Sequence, residues 1–415
     1  MKNIKTYKKF IYILILLLAA SCAQNRIKSD DKIAANKINS AAKENSADDS
    51  DEIFYYIFDD ENKNVFNNKK EPATITAVGD VVLNLAVMKE VLDKRIKQYG
   101  KPDAMIYPFS KVRKEMAGIG FCNLEAPVTD LEVKYFNDKD EVFYFTSPGG
   151  SEEILKHGRF NVVSLANNHI MDAGKAGMID TRKRLNAINI VPVGAGNNIY
   201  EALEPVYIND KGTIIAIFAF STVIPRSVWA GPDKAGTAGG SSELLLAAVK
   251  KVSRKADAVF VSIHWGQEVE TDFPVKEPEK EQVELARKLI DAGATCIVGH
   301  HSHALGPVER YKNGIIFYSL GDFVFAGRHS ESHTTSIMAQ ISLSGSGLES
   351  YTLIPVNINP LEIEYSPEIL DENKGREVIN RILSDDDKDS KYIDYYKRIR
   401  NTILEIQKSI PPIKG

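Results

Sequence analysis

Two β-sheets packed face to face, with helices on the outside, form the α/β fold that this sequence predicts. Three observations carry that reading. Short β-branched runs alternate with segments of helical period, and later in the chain strands follow one another in succession. Five of the eight histidines stand in three stretches where an apolar run stops: Asn167-Asn168-His169, His264-Trp265-Gly266 and Gly299-His300-His301-Ser302-His303. An α/β sheet places the carboxyl ends of separate strands side by side around one crevice, so histidines at strand ends are candidate metal ligands.

In chain order, residues 1–22 precede the fold. Lys2, Lys5, Lys8 and Lys9 form a basic head, Phe10 opens an apolar stretch too short to span a membrane as a mature helix, and Ala19-Ala20-Ser21-Cys22 is a small-residue cleavage box. The segment resembles a bacterial lipoprotein signal. It implies lipidation at Cys22, export, and a lipid anchor holding the chain to a membrane of the cell envelope. Residues 23–72 are rich in Lys, Asp, Asn, Ser and Ala, and such a segment buries little apolar surface, so it is expected to be a flexible tether. A short aromatic patch at 53–58 is the exception and is a candidate for docking on the body.

Strands are expected at 74–78, 118–124, 162–165, 188–191, 213–220, 258–263, 295–298, 315–319, 336–343 and 349–356. Helices are expected at 83–98, 111–116, 151–157, 177–187, 241–255 and 279–292; Ser241-Ser242-Glu243 is a polar start and Ala292-Gly293 a glycine stop. The body is placed at 73–360, one large core with insertions, followed by a C-terminal helical extension at 361–415 with a solvated charged run at 384–388. A net charge of −4 without a basic cluster argues against nucleic acid as a partner. Cys122 and Cys296 lie inside apolar strand-like runs, where buried free thiols are expected.

Asp80 follows the first strand, where its carboxylate faces a cation or caps the next helix. Glu125 ends the second strand, and a carboxylate buried there needs a cation or donors, which makes it a candidate bridge between two metals. Asn167 and Asn168 either close a turn or offer an oxygen ligand, and His169 beside them is a candidate acid or oxyanion donor. His264 ends a strongly apolar run that Trp265-Gly266 breaks. His301 and His303, at alternate positions, would point the same way in an extended backbone, with His300 facing elsewhere unless the loop turns. Asp322, after another strand, is placed to hold a ligand imidazole from behind.

Taken together, Ala77-Val-Gly-Asp80, Asn123-Leu-Glu125, Ala166-Asn-Asn-His169, His264-Trp-Gly, Gly299-His-His-Ser-His303 and Ile316-Phe-Tyr-Ser-Leu-Gly-Asp322-Phe resemble the CapA-type capsule (poly-γ-glutamate) synthesis proteins, a family similar to the calcineurin-like metallophosphoesterases. The resemblance covers roughly 73–360. It implies a four-layer α/β/β/α sandwich of the metallophosphoesterase type with a two-metal centre at the strand ends. Carried over position by position, it makes Asp80, Glu125, Asn168, His264, His301 and His303 the metal ligands, with Glu125 as the bridge and His169 as the catalytic residue beside the substrate. The chain departs from the wider phosphoesterase pattern at Val82, where that pattern has a histidine, and at Glu125, where it has an aspartate.

Mixed oxygen and imidazole donors suit divalent manganese, iron or zinc. Two such ions would activate water and offset charge on the attacked group. The superfamily resemblance implies a phosphoester substrate, and the capsule association an anionic γ-glutamyl polymer or a cell-wall amide. A different class of function stays open: a non-catalytic assembly factor that uses its metal site to organise a capsule synthase and exporter. Arg226 and Arg328 are scattered candidates for polymer contact, and 328–333 is expected to be a loop rather than a lid.

Overall fold

The computed structural model describes residues 55–57, 70–131, 145–269, 275, 277–326 and 333–383. Cys22 and the signal at 1–22, most of the tether, Arg328 with residues 329–332, and the charged run at 384–388 lie outside the described residues.

One sheet has eight strands: β2 (Ala73–Val82), β3 (Ile119–Leu124), β4 (Val162–Ser164), β5 (Val191–Val193), β14 (Asp322–Phe325), β15 (Thr335–Ser344), β16 (Gly347–Asn357) and β17 (Glu368–Ile369). Their order is β17-β16-β15-β2-β3-β4-β5, and β14 pairs with the distal half of β2. The other sheet has seven: β1 (Tyr55–Ile57), β7 (Val206–Asp210), β8 (Thr213–Ser221), β10 (Ala258–His264), β11 (Cys296–His300), β12 (Val308–Tyr311) and β13 (Gly314–Phe317), ordered β1-β7-β8-β10-β11-β13-β12. A short ladder joins β6 (Ala195–Gly196) to β9 (Gly236–Thr237).

Within each sheet the central strands run parallel, β2 to β5 in one and β8, β10, β11 and β13 in the other. Parallel strands are buried on both faces and read as continuous apolar runs, which is why these were the easiest to find in the sequence. Alternate residues on them serve different layers. Ile75, Ala77 and Phe121 meet the second sheet in the central core, where the Phe121 and Phe260 rings stand edge to face at 4.9 Å. Val78, Cys122 and Leu124 turn outward against Phe109, Leu155, Met178 and Leu185, which come from the outer helical layer. Helices Ser242–Val252 and Lys280–Asp291 cover the far face of the second sheet through Leu245, Val249, Ala286 and Leu289. The arrangement is the four-layer α/β/β/α sandwich that the resemblance implied.

Several elements differ from expectation for local reasons. Residues 111–116 form no α-helix; two 3-10 turns, Tyr107–Phe109 and Arg113–Glu115, stand there, the first with Pro108 in it. The strand expected at 188–191 begins only at Val191, because Asn189 takes a left-handed φ of 63° that breaks extension. β7 and β12 are short strands near the sheet margin; β7 sends Val206 and Ile208 into the core but ends in Asn209-Asp210, and β12 buries Val308 alone. Helix Lys280–Asp291 starts with a reciprocal cap between Glu279 and Gln282. Beyond residue 360, β17 extends the first sheet, and helix Glu372–Ile382 buries Val378, Ile379 and Ile382 in the central core. Both cysteines of the described residues are free and buried.

Candidate metal centre

Parallel register brings the chemistry to one edge. Asp80 lies opposite Asn123, Asn123 opposite Ser164, and His264 opposite His300, so the strands of each sheet end together. Within each sheet glycine lets neighbouring strands end close together. A Cβ on Gly79 would fall 1.9 Å from the Gly321 carbonyl oxygen, which accepts a 2.9 Å hydrogen bond from the Asp80 amide. A Cβ on Gly299 would fall 2.0 Å from the Tyr318 carbonyl oxygen. Any side chain at either position would push the strands apart.

Asn123, fully buried, stands at the centre of the site. Its Nδ2 donates to Asp80 Oδ1 at 2.9 Å and lies 3.4 Å from Glu125 Oε2, while its Oδ1 accepts from Asn167 Nδ2 at 3.0 Å. Asn167 also donates to the Leu124 carbonyl and accepts from the amides of His169 and Ile170. The two asparagines therefore divide the roles: Asn167 closes the turn, and Asn168 sends its Oδ1 to within 2.8 Å of His264 Nε2.

The histidine cluster departs from the extended geometry expected of it. β11 ends at His300, and His301 and His303 take left-handed φ values of 94° and 63°, so a tight turn sets their side chains, not strand alternation. His300, the last residue of β11, does not face away: its Nδ1 lies 2.8 Å from Asp80 Oδ1. The His301 amide donates to Asp80 Oδ2, and the His301 ring packs 4.6 Å from that of His264. His303 Nδ1 sits 2.8 Å from Asp322 Oδ1, which fixes its ring from behind.

Three groups have ligand atoms within 4.8 Å of one another: Glu125 with His264 and His301, Asp80 with Glu125 and His303, and Glu268 with His301 and His303. Glu125 is common to the first two. Glu268 escaped sequence reading, since it lies on a loop four residues past His264 with no strand to mark it. His169 stands beside this cluster, its Nδ1 2.7 Å from Asp172 Oδ2, and Asp172 is itself fixed by the Phe145 amide. Arg226 stacks over Trp229 at 5.1 Å.

Electrostatics match a site built for cations. Burial, reinforced by the negative charge of Asp80, pushes the Glu125 carboxyl well above its usual range. Burial also works to raise Asp80, but the nearby His300, His264 and His303 together hold it well below the usual range. Two carboxylates this close and this buried do not both ionise without a compensating charge. Burial, and then the neighbouring imidazoles, push His264 well down and His301 down to about 4, so both are neutral at physiological pH and present lone pairs.

The residues themselves show whether a divalent ion fits. Glu125 Oε1, His300 Nε2 and His301 Nδ1 are buried without a hydrogen-bond partner. Buried polar atoms are otherwise almost always paired. Carboxylate, carboxamide and imidazole donors without thiolate fit manganese, iron or zinc.

A two-sheet α/β sandwich whose parallel strands converge on buried carboxylates and imidazoles is the class of protein that this fold and site define. Residues 74–327 match the family described as "Bacterial capsule synthesis protein PGA_cap", and the chain belongs to that family. It is 30% identical over 316 residues to the capsule biosynthesis protein CapA of Bacillus anthracis, a match covering 75% of this chain and 73% of that one. It is likewise 30% identical over 325 residues to the PGA biosynthesis protein CapA of Bacillus subtilis, covering 76% and 82%. Among solved structures, a phosphatase from Mycoplasma pneumoniae aligns with a TM-score of 0.42 at 12% identity, over 70% of this chain and 95% of that one.

Proposed function

We propose that this protein is a metal-dependent hydrolase of the cell envelope, lipid-anchored through Cys22, that acts in the synthesis or processing of a capsule polymer of the poly-γ-glutamate kind. The relatives named for capsule and PGA biosynthesis support the polymer assignment. The observation that carries the hydrolytic reading is that Glu125 Oε1 and His301 Nδ1 are buried without a hydrogen bond, beside a histidine that Asp172 holds in place.

In this reading Asp80, Glu125, Asn168, His264, His301 and His303 would hold two divalent ions, Glu125 being common to two of the ligand groups. When bound, such ions supply Lewis-acid polarisation of a substrate oxygen and a water nucleophile at neutral pH. Asp172 holds the Nδ1–H side of the His169 ring and supports its doubly protonated form, whose Nε2–H would give a proton to the leaving group or a hydrogen bond to the developing oxyanion. Asp322 keeps His303 oriented, and Asn123 keeps Asp80 oriented. The substrate is anionic, a phosphodiester or a γ-glutamyl amide, and synthase and export proteins are the partners expected in the envelope.

The test compares the full chain with His169→Ala for hydrolysis of a generic aryl phosphodiester and of a γ-glutamyl amide with added Mn²⁺. Turnover that falls by roughly 10²- to 10⁴-fold in the variant, with metal content unchanged, supports the proposal. Bound metal with no turnover of either substrate would replace it with the assembly-factor reading.

A further inference from the structure

Glu268 stands apart from the rest of the strand-end cluster. The carboxylates of Asp80 and Glu125 are fully buried, whereas the Glu268 side chain is 47% exposed. Its Oε1 nevertheless lies 4.0 Å from His303 Nε2, and its carboxylate shares a common ligand radius with both His301 and His303. His303 Nδ1 lies 2.8 Å from Asp322 Oδ1 and 3.9 Å from Asp80 Oδ2, so Nε2 is the nitrogen that this ring turns towards Glu268.

The position is built rather than incidental. Trp265 is buried and donates through Nε1 to the Tyr318 carbonyl, which fixes the start of the loop. Gly266 then turns the chain with a φ of 77°. Backbone hydrogen bonds from the Trp265 amide to the His300 carbonyl and from the Val269 amide to the Ser302 carbonyl bind this loop to the histidine loop at both ends. Glu268 is thereby carried to the solvent side of His301 and His303 by the backbone alone.

The end of β2 adds no donor. Val82 packs with Ala126 and Phe325 in a small buried apolar cluster, so the group of Asp80, Glu125 and His303 gains nothing from the end of β2. A cation held by two carboxylates and one imidazole there is short of ligands for a four- to six-coordinate ion.

We infer that Glu268 is a further metal ligand, closing from the solvent side the position that His301 and His303 share. The inference rests on the proposal above that the strand-end cluster holds divalent ions. An exposed carboxylate can swing on and off an ion without disturbing the core, so this is also the coordination position that an anionic substrate would contest.

The experiment titrates Mn²⁺ into the purified full chain, reading free ion by electron paramagnetic resonance and bound ion by elemental analysis, for wild type, Glu268→Gln, Glu268→Asp and Asp80→Asn. Glu268→Gln keeps the size and polarity of an exposed side chain and leaves folding intact, which circular dichroism verifies. The expected result is one Mn²⁺ bound at least roughly tenfold more weakly in Glu268→Gln, partial recovery in Glu268→Asp, and a larger loss in Asp80→Asn. Unchanged number and affinity in Glu268→Gln, with Asp80→Asn impaired, overturns this inference and leaves the metal centre standing. Wild type that binds no Mn²⁺ overturns both.

Discussion

Replacing Asn123 with leucine tests whether the site is held together by one buried amide. Leucine keeps the branching of the side chain but is bulkier, so no cavity forms and any overpacking adds to the loss of hydrogen bonds. The bond to the Asp80 carboxylate at 2.9 Å is charge-assisted and contributes about 1.5 to 3 kcal/mol, and the one accepted from Asn167 at 3.0 Å about 0.5 to 1.5 kcal/mol. Asn167 retains its bond to the Leu124 carbonyl, which softens the second loss. In the presence of a chelator, Asn123→Leu should therefore lower the unfolding free energy by about 2 to 4 kcal/mol. With saturating Mn²⁺ the deficit should widen, because an Asp80 without its orienting donor binds ions roughly 10- to 100-fold more weakly. That adds about 1.4 to 2.8 kcal/mol for each ion affected. Urea unfolding of both proteins, with chelator and with Mn²⁺, measures the two differences. A deficit under 1 kcal/mol that does not grow with Mn²⁺ would refute the central place given to Asn123.

Other consequences follow from the same geometry. Gly79→Ala places a methyl 1.9 Å from the Gly321 oxygen and should destabilise by about 3 kcal/mol or more, seen as a fall in the thermal midpoint; an unchanged midpoint would mean that β2 and β14 separate freely. In metal-free protein the His301 pKa is about 4 against an ordinary 6.5, so between those values the unfolded chain binds the extra proton. Its contribution is complete above pH 6.5 and is lost as pH falls towards 4, on the order of 3 kcal/mol in all, so His301→Asn should show a shallower acid-side loss of stability than wild type. Glu125, raised by burial and then by Asp80, stays protonated without a cation, so ion binding should release a proton. Calorimetric binding enthalpies in buffers of different ionisation heat should differ accordingly, and identical enthalpies would count against this protonation state.

What the sequence disclosed was set by burial. The parallel strands are apolar on both faces, so Glu125, His264 and the histidine cluster stand out where the hydrophobic run ends, whereas Asp80, expected after its strand, lies inside β2, which continues through Val81 and Val82. The short strands β7 and β12 were missed, because residues near a sheet margin need not be apolar. Within the site, His301 and His303 were identified for a reason the structure replaces: left-handed turns aim them, and no pattern of alternation encodes a positive φ. Asn123 was visible as part of a motif, but its several simultaneous contacts depend on the approach of β2, β3 and β4 and on the sheet opposite. Glu268 reaches the cluster through loop hydrogen bonds between segments more than thirty residues apart, which local composition does not report.

The central claim is that buried carboxylates and imidazoles at the strand ends form a cation site. Equilibrium dialysis of the full chain against Mn²⁺ followed by elemental analysis, with Asp80→Asn and His264→Ala alongside, measures it directly. About two ions per wild-type chain, with at least one lost in each variant, is the predicted result. Wild type that retains no ion, or variants that retain as many as wild type, would contradict it.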